Sequence, residues 1–430
     1  GSSRGGAKSI NMPEQIVDLH IHSRYSRACS NRLELPNIAQ TCVEKGINIV
    51  STGDFTHPLW FRDIQNLLEE DGSGLLKLKD KSSPTKFVIG TEISCVYKHK
   101  DKVRRLHILV FAPDIKSAGA FIAALEERGV NLRSDGRPIM GVSGKEIVQL
   151  CRDIDRRMVV IPAHAWTPWF AVFGSKSGYD SLEECFEELT PDIFAIETGL
   201  SSDPPMNRRL SQLDKIALVS NSDAHSLEKL GREANVLKFD GEASYDQLWE
   251  IIKSGDREKF LYTIEFYPEE GMYHHDGHRD CKVSMKPSET RKEKEICPVC
   301  KKKLTVGVLH RVDDLADRKE RNAPDNFVSH RYIVPLREII AGSFDVGTTS
   351  KKVEKEYRSM LEKLGDEFVI LLRVDLEKIK TAVSDENIAI GIENMRKGQV
   401  RISPGFDGVY GEVDVFPKGK ITKYSRINLV

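Results

Sequence analysis

Two histidines near the start of the sequence are separated by a single residue. His20 and His22 lie in an apolar, β-branched run, residues 16–22, that predicts a strand. Because side chains alternate along a strand, both imidazoles should lie on the same face, where they can converge on one metal ion. An isolated pair of this kind is also typical of an ordinary strand surface. Its interpretation therefore depends on which other groups reach the same place.

Further histidines and carboxylates fall in or at the ends of the other predicted strands. These strands are predicted at residues 47–54, 87–92, 106–111, 158–164, 193–197 and 216–223. The candidate ligands that they carry are Asp54, Glu92, His107, His164, Asp223 and His225, and one strand ends at Glu197. Helical stretches alternate with the strands, which predicts βαβ units in a parallel sheet or barrel, with the strand ends at one mouth. Asp54 and Asp223 could instead cap helices.

Mixed imidazole and carboxylate ligation suits zinc, manganese or iron. Two such ions, about 4 Å apart, suit phosphate ester hydrolysis. The sequence shows no Ser-His-Asp arrangement and no GxxxxGK[ST] phosphate loop. The first half of the chain is therefore predicted to be a multi-metal phosphoesterase with two or three divalent ions, which could be Zn, Mn, Mg or Fe.

A second cluster of metal-binding residues lies further along the chain. Its spacing, two close pairs separated by a charged loop, is typical of a tetrahedral structural zinc site; the four residues are His278, Cys281, Cys297 and Cys300. His274, His275 or His310 could replace His278 as the fourth ligand. The lysines at 301–303 and the basic residues around them offer phosphate contacts, although interleaved glutamates weaken that interpretation.

The amino-acid composition argues against a membrane protein but does not identify a binding partner. The 430 residues carry a formal net charge of -1, with 40% hydrophobic and 30% charged residues. No apolar run approaches the roughly 20 residues needed to span a bilayer, so no membrane partner is expected. The pattern predicts an expression tag or loose tail at 1–12, a metallophosphoesterase barrel at 13–255, a zinc-binding domain at 256–325 and a mainly helical domain at 326–430. The helical domain is expected to end in Gly-rich strand pairs near 404–411.

The first constellation resembles a known superfamily. The run DLHIHS from Asp18, the pair Ala163-His164 and the run SDAH from Ser222 are similar to motifs of the PHP (polymerase and histidinol phosphatase) superfamily. That resemblance implies an α/β fold with a distorted (β/α)7 barrel. It also implies that His20, His22, Glu92 and Asp223 share one ion, that Glu92 bridges to an ion held by His107 and His164, and that His225 serves a third.

One motif departs from the superfamily pattern. Where Thr-Asp-His is usual, this chain reads Gly53-Asp54-Phe55-Thr56-His57. Phe55 occupies the usual histidine position, so Asp54 or the displaced His57 is expected to replace it.

Within the superfamily, the chain resembles endonuclease Q. The similar motifs are TGDFTHP from Thr52, AHAWTP from Ala163, DGHRDC from Asp276, CPVC from Cys297, VLHR from Val308 and PGFDG from Pro404. The resemblance implies a DNA repair endonuclease, in the cytoplasm at the nucleoid, that incises 5′ to deaminated bases (uracil, hypoxanthine, xanthine) and abasic sites. It leaves 3′-hydroxyl and 5′-phosphate ends, with Asp223, His225 and Glu92 as catalytic residues.

Selecting a damaged base implies flipping it into a pocket. The loop after His164 offers candidate lesion-binding residues, namely Trp166, Trp169, Phe170, Phe173, Lys176 and Tyr179. The same aromatic residues could equally form an apolar cluster that closes the barrel. A sliding clamp is a conceivable partner. A small-molecule phosphatase and an inactive damage-binding module remain alternative functions.

Overall fold

The computed structural model describes residues 14–319, 323–324 and 327–416. The predicted tail at 1–12 lies outside these residues. The described strands are β1 (Gln15–Asp18), β2 (Ile49–Ser51), β3 (Leu68–Glu70), β4 (Leu76–Leu78), β5 (Lys86–His99), β6 (Lys102–Ala112), β7 (Ile139–Met140), β8 (Val159–Pro162), β9 (Ala195–Glu197), β10 (Ala217–Val219), β11 (Ala234–Leu237), β12 (Phe260–Glu265), β13 (Asp276–His278), β14 (Val283–Met285), β15 (Ser329–Tyr332), β16 (Arg401–Ser403) and β17 (Glu412–Asp414).

The described α-helices alternate with strands in the first half and then form a helical carboxy-terminal part. They are α1 (Leu35–Lys45), α2 (Pro58–Leu67), α3 (Ile115–Glu127), α4 (Gly144–Ile154), α5 (Leu182–Phe186), α6 (Pro204–Asn207), α7 (Tyr245–Ser254), α8 (Pro287–Lys292), α9 (Val308–Leu315), α10 (Leu336–Phe344), α11 (Lys351–Leu364), α12 (Glu367–Leu372), α13 (Leu376–Ala382) and α14 (Glu386–Arg396).

The local helix signals were sufficient to place three helices. Helix α1 has a proline in its first turn and ends at Gly46, whose φ of 86° suits glycine. Helix α4 begins with a complete capping box between Ser143 and Glu146, which satisfies backbone donors that would otherwise be unpaired. Helix α11 is amphipathic over Lys351–Leu364, and the hydroxyl of Ser350 accepts a hydrogen bond from the backbone N–H of Val353 at its first turn.

All seven predicted strands are present, as β1, β2, β5, β6, β8, β9 and β10. Strands β1, β2 and β5 are parallel, with Val17 opposite Ile49 and Ile49 opposite Lys86. Strands β9 and β10 are also parallel.

The prediction of parallel strands is wrong at β6, which runs antiparallel to both β5 and β8. The reason is the tight turn between β5 and β6, where Lys100 and Asp101 have φ values of 47° and 62°. A two-residue turn of this kind joins antiparallel strands and cannot form a crossover. His107 therefore reaches the mouth from within an antiparallel strand.

The main sheet does not stop at residue 255, where the barrel was predicted to end. Strand β11 pairs antiparallel with β1, β12 pairs antiparallel with β11, and β15 pairs parallel with β12. The segment that contains the second ligand cluster is therefore attached to the main sheet on both of its sides. Strands β16 and β17 lie on either side of residues 404–411, where strands had been predicted; that glycine-containing stretch is their connecting loop.

The helical carboxy-terminal part packs directly on the first half. The amino group of Lys45, on α1, lies 3.3 Å from the Glu367 carboxylate on α12, and both side chains are buried. The hydroxyl of Tyr357 donates to the same carboxylate at 2.8 Å. One apolar cluster includes Ile38 of α1 and Phe368 of α12, so the two parts share a core. Within the described ranges, no helix is both long enough and apolar enough to cross a bilayer.

Candidate metal centre and the surrounding surface

Three overlapping groups of potential ligands meet at the mouth of the first half. Within each group the ligand atoms lie within 4.8 Å of one another; the groups are His20, His22 and Glu92, then His22, Asp223 and His225, and then Glu92, His107 and His164. Because His22 and Glu92 each belong to two groups, the three sets form one continuous cluster. The structure thus brings together seven of the nine residues predicted for this site.

Carboxylates behind the first two histidines fix the direction of their rings. Nδ1 of His20 lies 3.0 and 3.1 Å from the two carboxylate oxygens of Glu197. Nδ1 of His22 lies 3.0 Å from Oδ1 of Asp54. When the Nδ1–H of an imidazole donates to a carboxylate, its Nε2 is left as the metal-binding atom. Nε2 of His20 is indeed buried and has no hydrogen-bond partner among the residues that the structure describes, as expected of a metal ligand.

Glu92 lies at the centre of the cluster. Its Oε1 is 2.8 Å from Nδ1 of His107 and 3.1 Å from Nε2 of His164. Its Oε2 is 3.4 Å from Nε2 of His22 and 3.0 Å from Nη1 of Arg137. The two oxygens therefore face different histidine groups, the arrangement of a carboxylate that bridges two ions.

The remaining histidines are also held by hydrogen bonds on one ring nitrogen. Nδ1 of His225 donates to the backbone carbonyl of Asp223 at 2.9 Å, and Nδ1 of His164 lies 3.1 Å from the hydroxyl of Thr167. Burial lowers the pKa of His107 to about 4. A neutral imidazole is the form that binds a metal.

The electrostatic field of the cluster favours cations. Burial by itself would lower the pKa of His20, but nearby carboxylates, chiefly Glu197 and Asp223, outweigh that effect and raise it well above its ordinary value. The partial burial of Asp223 would raise the pKa of its carboxyl group, yet His20 and His22 hold that pKa well below the ordinary value. An excess of buried carboxylates that stabilises protonated histidines would also stabilise divalent ions at the same place.

Three residues of the site have left-handed backbone conformations. Asp54 and Asp223 have φ values of 46°, and His164 has a φ of 27°. This conformation costs about 1–3 kcal/mol for residues other than glycine and is concentrated at functional sites. The strain places these three side chains at the points where their strands end.

Asp54 and His57 lie outside the three ligand groups. Oδ2 of Asp54 accepts hydrogen bonds from the backbone and hydroxyl of Ser23, at 2.6 and 2.7 Å, and from the Ser26 hydroxyl at 2.8 Å. With Oδ1 on His22, its carboxylate is fully used in orienting a ligand. His57 stacks on Tyr25 with ring centroids 4.4 Å apart. Phe55, at the usual histidine position, is fully buried against Phe121.

Two residues that touch the ligands were not among the predicted site residues. Glu197 was noted at a strand end, but its position behind His20 follows from the fold. Arg137 lies in a loop without a periodic pattern, 45 residues from Glu92 in sequence. Burial by itself would raise the pKa of Glu92. The positive charges of His107 and Arg137 outweigh that effect and hold the pKa well below its ordinary value. Sequence spacing gave no signal for Arg137.

The helical carboxy-terminal part contains a match to a known family. The family model described as "MJ0043 C-terminal domain" matches residues 335–399. The uncharacterized protein MJ0043 of Methanocaldococcus jannaschii is 30% identical over 258 residues, which are 59% of this chain and 32% of that protein. The chain thus spans about a third of the length of this relative.

Two solved structures match nearly the whole chain. The lesion-specific endonuclease PfuEndoQ from Pyrococcus furiosus has a TM-score of 0.83 and 28% identity, over 94% of this chain and 95% of that one. The chain is similar to endonuclease Q over nearly its whole length. A second endonuclease Q structure, in complex with a 27-mer duplex substrate with an abasic lesion at the active site, has a TM-score of 0.82 and 28% identity, over 97% of this chain and 100% of that one.

The loop that follows His164, where lesion-binding residues were predicted, is partly buried. Trp166, Phe173 and Tyr179 are instead part of the core: each is at most 1% exposed. Trp166 donates to the side-chain oxygen of Asn207 at 2.7 Å and packs against Phe173. These three are therefore unavailable to stack on a base, because long-range packing covers them.

The other residues of the loop remain accessible. Trp169 is 41% exposed and meets Tyr273 edge to face, with ring centroids 6.0 Å apart. The half-buried ring of Phe170 lies 4.6 Å from that of His107. Lys176 is exposed. Of the accessible aromatic residues in this loop, Phe170 contacts the candidate ligand His107, and Trp169 precedes Phe170 in sequence.

The second ligand cluster also assembles as predicted. The ligand atoms of His278, Cys281, Cys297 and Cys300 all lie within 4.8 Å of one another. The hairpin of β13 and β14 brings His278 and Cys281 together, and backbone hydrogen bonds between Cys297 and residues 301–302 form a tight turn. Four protein ligands leave no place for a reacting water, so this cluster suits a structural ion.

The three alternative histidines of the second cluster lie outside this group. His310 is buried, with its Nδ1 2.6 Å from Asp276, and Nδ1 of His275 lies 3.3 Å from the hydroxyl of Ser284. His278 therefore completes the group. Of the other cysteines, Cys29 is half-buried and the rest are buried free thiols.

Proposed function

We propose that this protein is a metal-dependent DNA endonuclease that hydrolyses the phosphodiester bond 5′ to deaminated bases (uracil, hypoxanthine and xanthine) and abasic sites. The products would be 3′-hydroxyl and 5′-phosphate ends. The observation that carries the proposal is that Glu92 and His22 each belong to two ligand groups. The three groups therefore form one centre of the kind that serves phosphoryl transfer. The likeness to an endonuclease Q bound to a lesion-containing duplex supports DNA as the substrate.

The residues present fit two or three divalent ions. His20, His22, Glu92 and Asp223 would hold one, Glu92, His107 and His164 another, and His225 with Asp223 would serve a third. When bound, such ions lower the pKa of water and stabilise charge on the phosphoryl oxygens. The four residues His278, Cys281, Cys297 and Cys300 would hold a structural zinc ion.

Residues around the ligands orient the histidine rings and place a positive charge beside the cluster. Glu197 and Asp54 fix the rings of His20 and His22, so that few degrees of freedom remain to be ordered when substrate binds. The guanidinium of Arg137 is directed by Glu92 and remains partly exposed, at 24%, beside the ligand cluster. It is therefore placed to contact an anionic phosphate group there. His225 and Asp223, at the partly exposed edge, are the residues nearest to the leaving oxygen in this proposal.

Lesion recognition requires access to the base edge, which in a duplex means flipping the nucleotide. Trp169 and Phe170 support this step, because they are the accessible aromatic rings of the loop that contacts His107. Replacing Trp169 with Ala should reduce affinity for uracil-containing duplex and the preference for it over intact duplex. If Trp169→Ala and wild type have equal affinity for the uracil-containing duplex and equal preference for it, Trp169 takes no part in lesion recognition.

The central experiment uses end-labelled duplexes that contain one uracil, one hypoxanthine, one abasic site or no lesion. Each is incubated with manganese, magnesium, zinc or a chelator, beside a chromogenic phosphate ester. Nicking that depends on the lesion and is blocked by the chelator supports the endonuclease. Turnover of the ester alone would support a small-molecule phosphatase, and binding without nicking would support a damage-binding module.

Asp223→Asn tests the site within the same assay. The substitution keeps the shape of the side chain but removes a charge that two of the proposed ions would share, so incision should fall by roughly 100-fold or more while lesion-duplex binding persists. Asp153→Asn, at an exposed position of α4, is the matched control and should incise normally. A sliding-clamp partner gains no support from the described residues. An enzyme with this function would act at the nucleoid.

A further inference from the structure

A cavity of about 390 Å³ lies beside the metal centre and takes no part in it. Its walls come from three separated pieces of the chain: the tip of the β5–β6 hairpin, the segment of residues 174–184, and α9. The cationic side chains that line it are Lys100, Lys102, Arg104, Lys176 and Arg311. The lining also includes two carboxylates, Asp180 and Glu184. Cationic groups are therefore in clear excess.

Two of these cations are held in place by the protein. The guanidinium of Arg104 lies 4.0 Å from the ring centroid of Tyr179, and it donates to the backbone carbonyl of Gly178. Arg311 donates to the carbonyls of Phe173 and Tyr179, both at 3.0 Å, and forms an ion pair with Asp180 at 2.7 Å. These contacts hold both guanidinium groups in fixed positions in the cavity wall. The ion pair with Arg311 neutralises the charge of Asp180.

The three lysines differ from these arginines. Lys100, Lys102 and Lys176 are exposed, and none of them forms an ion pair with any residue that the structure describes. Three unpaired ammonium groups around one concave surface repel each other unless an anion is bound. Glu184 is the only lining carboxylate without an ion pair in the described ranges. The arrangement is therefore complementary to an anionic group.

The cavity is connected to the metal centre through one strand. The backbone N–H of His107 donates to the carbonyl of Phe170, and the hydroxyl of Ser177 donates to the carbonyl of Arg105. The loop that carries Lys176 thus lies along β6, between the ligand His107 and the cavity residue Arg104. Three residues of an extended strand span roughly 10 Å. Lys102 and Lys100 lie five and seven residues before His107, which corresponds to roughly 17–23 Å along an extended strand. A DNA strand whose phosphate lies at the metal centre would therefore reach these lysines a few nucleotides away.

We propose that this cavity is a subsite for the DNA backbone, which binds a phosphodiester group flanking the one that is hydrolysed. The proposal rests on the endonuclease function proposed above. Lys100, Lys102 and Lys176 contribute charge to binding, and Tyr179 supports the wall through Arg104. The subsite positions the strand and does not take part in the chemical step.

The test is a triple variant, Lys100→Gln, Lys102→Gln and Lys176→Gln, compared with wild type. The matched control is Lys81→Gln, Lys116→Gln and Lys215→Gln: these lysines are also exposed, and they lie near the opposite ends of β5, β6 and β10. Binding of an abasic duplex in the presence of a chelator is measured between 50 and 200 mM salt. Single-turnover incision at saturating enzyme is measured with the divalent ion restored.

The triple variant should bind roughly tenfold more weakly, and its slope of log affinity against log salt should be smaller by about 1 to 2, since each phosphate contact contributes about 0.9. Its incision rate at saturation should equal that of wild type. If wild type nicks the duplex and the triple variant matches the control in affinity and slope, the subsite is refuted and the endonuclease stands. If wild type neither binds nor nicks, both proposals are overturned.

Discussion

The carboxylate of Glu197 lies directly behind His20, with both oxygens within 3.1 Å of Nδ1. The same carboxylate accepts from the backbone N–H of His164 at 2.7 Å and from the side chain of Asn221 at 2.8 Å. One buried group therefore connects β9 with residues from three other segments, two of which end in proposed metal ligands. The position of His20 and that of His164 are coupled through Glu197.

Replacing Glu197 with Gln should weaken divalent-ion binding by roughly 10–100-fold, the usual effect of losing a carboxylate that orients a ligand histidine. Because the ligands themselves remain, activity should return at high metal concentration. The measurement is incision against metal concentration, together with the amount of metal retained after dialysis. Glu126→Gln, on the exposed side of α3, is the control. An unchanged metal dependence would show that Glu197 does not orient His20.

Gly136 gives a second, purely steric prediction. A Cβ at this position would lie 2.4 Å from Oδ2 of Asp54 and 2.4 Å from Oγ of Ser26. Gly136→Ala should therefore displace Asp54 and loosen His22, which reduces incision by about tenfold or more and costs roughly 1–3 kcal/mol of stability. At Gly347 a Cβ would meet nothing within 4 Å, so Gly347→Ala should change neither activity nor melting temperature. The two variants should therefore differ in both incision rate and melting temperature. Equal values would contradict the close approach of residue 136 to Asp54 and Ser26.

The order of elements and most ligands could be predicted from the sequence, because both depend on local information. Strand periodicity located β1, β2 and β5, and short motifs located His20, His22 and Asp223. The interpretation of Asp54 required the fold: its left-handed backbone conformation, with φ at 46°, directs the carboxylate to His22. That conformation cannot be inferred from residue type alone.

Long-range packing explains the other differences. Tyr179 is buried because the β5–β6 hairpin covers it: its hydroxyl lies 2.8 Å from that of Tyr97 and 2.9 Å from Nδ1 of His99. Those partners are 82 and 80 residues away in sequence. An aromatic residue in a loop has the same local pattern whether it is covered or exposed. The sequence therefore could not separate Tyr179 from Trp169.

A buried carboxyl group away from the ligands predicts how stability depends on pH. Burial raises the pKa of Glu265 from 4.5 to about 8, and Asp203 adds to that effect. A folded-state pKa above the unfolded value means that stability is full below about pH 4.5 and is lost as the pH rises through about 8. The loss should be on the order of a few kcal/mol. Melting temperatures between pH 5 and 9 should fall accordingly.

The substitution Glu265→Gln tests whether this carboxyl group, and not another titrating group, causes the pH dependence of stability. The amide keeps the shape of the side chain without an ionisable proton, so the melting temperature of the variant should fall less steeply between about pH 5 and 8. Glu258→Gln, at an exposed position before β12, should follow wild type. Parallel pH profiles for wild type and Glu265→Gln would assign the pH dependence to a different group.

The cysteine cluster predicts one structural zinc ion for each chain. Cys297 is buried, and Ile296 and Lys303 form a bridge beside it, so loss of its thiolate should release the ion and loosen β13 and β14. Cys297→Ser should therefore lower the zinc content, measured by elemental analysis, by one ion per chain. Hydrogen exchange of residues 274–305 should rise, while that of β1 and β2 stays unchanged. Cys29→Ser, a half-buried thiol outside the group, is the control. Full zinc content in Cys297→Ser would contradict the four-ligand site.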